Sequence, residues 1–135
     1  MSSVAIIRAL LVAHAPLLVS VPEARIKAGV LPLGTALPAI SVMQISGRDR
    51  NIVAPVATVR VTDRVQVTVL APDYLVQKSV MKLVRKACRD QRGTVGGYAA
   101  VLVLTDGQGP DGLTADGAGI CVQTQDFMVS FSETS

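Results

Sequence analysis

Residues Thr58 to Leu70 alternate strictly in polarity. Val59, Val61, Val65, Val67 and Val69 occupy odd positions, against Thr58, Arg60, Thr62, Arg64, Gln66 and Thr68 at even ones. A period of two is the mark of a β-strand with one buried face. Asp63 interrupts the apolar row, which predicts a bulge or a point where the strand leaves its own core. The rest of the composition agrees with a sheet-rich core. Valine occurs 21 times, Tyr74, Tyr98, Phe127 and Phe131 are the only aromatics, and there is no Trp. β-Branched aliphatics of this kind favour strands. With 50% hydrophobic and 17% charged residues, disorder over most of the chain is excluded. The length of 135 residues fits one domain, spanning residues 1–135.

Around that strand the other elements follow from local signals. Ser2 or Ser3 caps a first helix from about Val4 to Ala15, with a further turn beyond Pro16. Its only strongly polar residues are Arg8 and His14. A helix apolar on most sides is buried on most sides, which predicts packing against a second subunit as well as its own core. The same apolar run continues to Val21, but Arg8 lies inside it and no basic residue precedes it. It reads as neither a signal peptide nor a membrane span. Pro22–Pro38 reads as a winding connection with a short extended piece at Arg25–Ala28, followed by a strand at Ala39–Ser46. Gly47–Ala57 is a long charged loop, because Pro55 delays the next strand.

After the valine strand, Ala71-Pro72-Asp73 caps a second helix running to about Asp90. Val76, Val80, Leu83, Val84 and Ala87 form its apolar stripe, and Gly93, Gly96 and Gly97 end it. A strand is expected at Ala99–Thr105, a Gly- and Asp-rich loop at Asp106–Gly119, and a last strand at Ile120–Ser132. The apolar parity of that last strand changes between Val122 and Phe127, which predicts a bulge or bend. The order helix-strand-strand-helix-strand-strand makes an α+β domain: an antiparallel β-sheet with two main helices packed against it.

Charge is unevenly spread along the chain. The net charge is +3, yet all 13 Lys and Arg fall at or before Arg92. Residues 1–92 carry 13 basic and 5 acidic groups, net +8; residues 93–135 carry 5 acidic groups and no basic one, net −5. Such a split is compatible with ordinary surface variation and with a head-to-tail contact between neighbouring subunits. The basic face of the second helix, Lys78, Lys82, Arg85, Lys86 and Arg89, with Arg92 beyond it, is the best nucleic-acid candidate. No interleaved aromatics offer base stacking there, and a solvated helix face is the plain alternative.

Catalytic motifs are missing. His14 is the only histidine and lies in an apolar helix, so a Ser-His-Asp triad has no framework. Cys88 and Cys121 lack the spacing of a zinc or redox motif and read as small buried hydrophobes in a reduced, cytosolic chain. The segment Thr105–Gly112 is Gly-rich but lacks the Lys-Ser/Thr of a phosphate loop and the closing Glu of a calcium loop. No enzyme activity, metal or cofactor is expected. The charged loop residues Arg48, Asp49, Arg50, Asp106, Asp111 and Asp116 are candidate docking contacts, since binding loops commonly sit on a rigid sheet.

The succession of elements resembles a known family. An N-terminal Ile7-Arg8-Ala9-Leu10-Leu11 helix leads to Arg25-Ile26 and then to Leu37-Pro38-Ala39-Ile40-Ser41-Val42. Arg64-Val65-Gln66-Val67-Thr68-Val69 follows, then a helix ending Leu83-Val84-Arg85-Lys86-Ala87-Cys88. A Gly-Pro-Asp loop precedes the last strand, Val122-Gln123-Thr124-Gln125-Asp126-Phe127. Over nearly its whole length the chain resembles the tail-completion, tail-terminator or tail-to-head joining proteins of long-tailed bacteriophages. It departs from them at Val69-Leu70-Ala71, where many members place an aromatic. The resemblance implies a non-enzymatic virion protein, assembled in the host cytoplasm into a ring, usually a hexamer, at the head-proximal end of the tail. The ring stops tube polymerisation. Its implied partners are further copies of itself, the tail tube protein and the head–tail connector or stopper, with DNA passing through the lumen without sequence recognition and no membrane involved. The alternatives are another head–tail joint ring, a stopper or adaptor, or a small nucleic-acid-binding module using residues 78–92.

Overall fold

The computed structural model describes residues 2–29, 36–49, 58–95, 98–109, 112–113 and 120–134. Strands β2 (Ala39–Asp49), β3 (Thr58–Ala71), β5 (Tyr98–Gln108) and β7 (Cys121–Thr134) form the body of one sheet. Short strands β1 (Ile26–Ala28) and β4 (Arg92–Val95) form its edges, in the order β1-β2-β3-β7-β5-β4. A two-residue strand β6 (Gly112–Leu113) pairs with β7.

The α+β class agrees with expectation, and the expected order holds for the helix after β3 and the four long strands but not for β4 and β6, which fall where a helix end and a loop are expected. The all-antiparallel sheet needs correcting, because β1 runs parallel to β2, pairing Ile26 with Ile40. β1 follows the two helices α1 (Ser2–Ala13) and α2 (Ala15–Ser20) and is only three residues long, too short to carry a sequence signal of its direction. The expected first helix is also two helices. His14 leaves helical geometry, with φ −89° and ψ 96°, and Pro16 sits in the first turn of α2, where a missing N–H costs nothing.

The valine alternation works as expected. Val61, Val65, Val67 and Val69 are buried and face the core with Phe127, Val129 and Phe131 of β7. Ile6, Ile7 and Leu11 of α1 and Val80, Met81 and Val84 of α3 (Tyr74–Cys88) close that core from the same side. Full burial of one such side chain contributes roughly 1.5–3 kcal/mol. Among the described residues no helix covers the other face of the sheet, which presents half-buried Thr62, Arg64, Gln66 and Thr68 beside Thr124, Asp126, Met128 and Ser130.

Both expected bulges fall in neighbouring strands. β3 and β7 pair in unbroken register from Thr58↔Thr134 to Ala71↔Cys121, so neither Asp63 nor the Val122–Phe127 stretch is itself bulged. The register shift near Asp63 is in β2, between Gln44 and Ser46. Asp63 is buried over Gly47, where a Cβ would lie 2.6 Å from its Oδ1. The change of parity in β7 has a different cause: Gln123 and Gln125 take core-facing positions and are buried. Their amides donate to the carbonyls of Gly109, at 3.2 Å, and Gly107, at 3.0 Å. Those carbonyls lie in and just beyond the part of β5 that bulges between Thr105 and Gln108.

α1 is less exposed than its sequence suggests. Its accessible positions are mainly the small Ala5 and Ala13. Arg8 is used within the subunit, donating from Nε to the Ile26 carbonyl at 3.0 Å and lying 3.9 Å from Glu23. No helix of the described residues is long and apolar enough to cross a membrane.

Candidate functional site

Helix α3 starts at Asp73, whose carboxylate accepts from the Val76 N–H at 2.8 Å, an N-cap of the expected kind. Arg85 and Lys86 lie in its last turn, where positive charge suits the helix dipole. At ~100° per residue, Lys78, Lys82, Arg85, Lys86 and Arg89 fall within about 100° of arc, opposite Val80, Val84 and Ala87. The structure therefore brings all five basic residues to one side. Lys82, Arg85, Lys86 and Arg89 are exposed and Lys78 is half-buried. Lys78 Nζ lies 3.4 Å from Gln123 Oε1 and 5.2 Å from the centroid of the Tyr74 ring.

A groove of about 360 Å³ runs between this side of α3 and the bulged end of β5, lined by Lys78, Met81, Lys82, Arg85, Gln108 and Gln123. The two glutamines had no signal in the sequence beyond their spacing by polarity. Gln123 is the more important: one buried amide fixes both the Lys78 ammonium and the Gly109 carbonyl.

The charge split along the sequence is bridged in space at Arg64. Arg64, on the uncovered face of the sheet, meets two carboxylates from the acidic third of the chain. Its Nη2 lies 2.7 Å from Asp126 Oδ2, and its Nε lies 3.2 Å from Asp106 Oδ2. The pairing of β3 with β7 imposes this, because it lays basic-half and acidic-half residues side by side. Thr62 and Ser130 hydroxyls share a hydrogen bond of 3.0 Å on the same face.

The expected docking loops are shorter than their sequence suggested. Arg48 and Asp49 belong to the end of β2, their backbones paired with Thr62 and Val61; their side chains, and Arg50 entirely, lie outside the described residues. Asp106 is likewise a strand residue of β5, half-engaged with Arg64. Asp111 and Asp116 lie outside the described residues.

Nothing described assembles a catalytic site. Among the described residues no three His, Cys, Asp or Glu side chains come together. His14 Nε2 is buried without a hydrogen-bond partner. Burial pushes the Cys88 thiol far above its ordinary value, which leaves it protonated and inert. A second concavity, about 280 Å³, lies where β1 ends against β2 and is lined by Val4, Ala28, Gly29, Val42, Met43 and Gln44.

No protein-family model and no curated protein matches the sequence. The fold, by contrast, is shared: it is similar to that of a chain in a solved structure described as the virion of a native gene transfer agent (GTA) particle. The TM-score is 0.70 at 12% sequence identity, over 96% of this chain and 94% of that one.

Proposed function

We propose that this chain is a virion structural protein that forms a ring closing the head-proximal end of a phage-type tail tube and joining tail to head. The observation that carries the reading is the fold likeness to a chain of a gene transfer agent virion, which spans nearly all of both chains. The succession of elements that resembles tail-terminator proteins supports the finer assignment.

The subunit has features that suit a ring. Ring contacts are heterologous, so each subunit needs two different surfaces. The sheet supplies them, since it ends in two short strands of different character, β1 at one edge and β4 at the other. Short edge strands also limit uncontrolled edge pairing. On the uncovered sheet face Arg64 is paired with Asp106 and Asp126, and Thr62, Gln66, Thr68, Thr124 and Ser130 lie beside it. A face on which the described guanidinium is already paired suits a channel through which DNA slides without sticking. The partners in this reading are further copies of the chain as a hexamer, the tube protein and the connector or stopper, and the work is assembly rather than catalysis.

Deleting the gene in a particle-producing host tests the reading. DNA-filled heads beside unjoined tails of uncontrolled length are expected. Normal, joined particles of regular tail length would exclude it. Regular tail length with heads still unjoined would move the chain to a neighbouring stopper or adaptor ring.

A further inference from the structure

The outer side of α3 carries a row of exposed cations, Lys82, Arg85, Lys86 and Arg89. Among the described residues no carboxylate pairs with Lys82, Arg85 or Lys86. Arg89 reaches only Asp90, at 3.9 Å and between two exposed side chains, a contact worth little. Apart from Asp90, the carboxylates with described side chains have other places. Glu23 lies by Arg8, Asp106 and Asp126 hold Arg64, Asp73 caps α3, and Asp63 is buried.

We propose that the Lys78–Arg89 stripe binds the sugar–phosphate backbone of a nucleic acid without reading its sequence. The stripe is straight and about 16 Å long, with roughly one cation or more per helical turn. Duplex DNA carries one charge per ~1.7 Å of axis, so a segment of that length offers about nine phosphates. Phosphates at that regular spacing match a straight row of cations. The groove beside the stripe adds polar groups, the Gln108 side chain and the Lys78 ammonium held by Gln123. Among the described side chains Tyr74 is the only aromatic along this side, so base stacking contributes little and backbone contact dominates. The binding is expected to be sequence-independent and steeply salt-dependent. It does not rest on the ring reading, because it needs only the isolated subunit.

Fluorescence anisotropy of a short labelled duplex of mixed sequence tests it, with the full chain titrated at several salt concentrations. With four to five phosphate contacts, affinity is expected to fall about 150- to 500-fold between 50 and 200 mM salt. The variant Lys82→Gln/Arg85→Gln/Lys86→Gln removes three exposed side chains and should fold normally by circular dichroism. Its affinity should be much weaker at low salt and fall only about tenfold over the same range. The charge-keeping variant Lys82→Arg/Arg85→Lys/Lys86→Arg should retain the wild-type slope. Two results would overturn the proposal: no binding by the wild-type chain at 50 mM salt, or a triple Gln variant with an unchanged slope. A third would do so as well: salt-sensitive self-association, seen by sedimentation and lost in the triple variant without any DNA binding, would assign the stripe to a second copy.

Discussion

Arg64 Nη2 and Asp126 Oδ2 lie 2.7 Å apart across β3 and β7, on the face of the sheet that no described helix covers. The same guanidinium reaches Asp106 at 3.2 Å, but the two carboxylates differ in setting: the Asp126 side chain is 13% exposed and that of Asp106 is 38% exposed. A charge-assisted contact is stronger where water is excluded, and solvent screens the outer one. Asp126→Asn should lower folding stability by ~1–2 kcal/mol and Asp106→Asn by about 0.5 kcal/mol or less. Urea denaturation of both variants checks the ranking; equal losses would contradict it.

Gln77 is fully buried on the core side of α3, and among the described residues neither its Oε1 nor its Nε2 has a hydrogen-bond partner. A buried amide without partners costs folding free energy. Gln77→Met keeps the length of the side chain and removes both polar atoms. It should stabilise the isolated subunit by ~1–2 kcal/mol, a melting temperature higher by roughly 3–6 °C. A lower melting temperature would mean that the amide has a role in folding that its surroundings do not reveal.

Cys88 is held by the core with its proton on, since burial raises the thiol far above its ordinary value of 9.0. Below pH 9 both folded and unfolded chains keep the proton, and the group has no influence. Above it the unfolded chain releases the proton and the folded chain does not, so stability falls as pH rises, by at most ~1.4 kcal/mol per pH unit. Cys88→Ala should flatten that alkaline loss, measured by denaturant titration between about pH 8 and 10.5. In the native protein a thiol reagent should label half-buried Cys121 well before Cys88.

Asp106, Asp111 and Asp116 are no longer equivalent candidates for docking. Asp106 is tied to Arg64 within the subunit, so its substitution should act through stability. Asp111→Asn/Asp116→Asn should leave the melting temperature unchanged while slowing particle assembly and making it more salt-sensitive, as loss of steering charge does. An unchanged assembly rate over a range of salt would remove these two residues from any interface.

Much of the fold was legible because hydrophobic periodicity is a local signal. The alternation at Val59–Val69 located β3, and the stripe Val80–Val84–Ala87 with Asp73 as cap located α3 almost to the residue. What the sequence hid was pairing between distant segments. The parallel strand β1 is only three residues long, too short for a period to show its direction. Gln123 and Gln125 look outward-facing by polarity, yet they point inward because the β5 bulge offers them carbonyls that water would otherwise solvate. The same holds for charge. Counting along the chain separates thirteen cations from the last five carboxylates, whereas the β3–β7 ladder puts Arg64 between two of them. The basic side of α3 was readable from its spacing alone; the groove beside it was not, because half of its wall comes from β5 and β7.

The central claim is that the chain forms a ring at the junction of tail and head. Cryo-electron microscopy of particles carrying a small tag on this chain, with its copy number counted in the same particles, tests it most directly. A single hexameric ring of tagged density at the head-proximal end of the tail is the expected result. Tagged density along the tube or in the capsid shell, or one copy per particle, would contradict it.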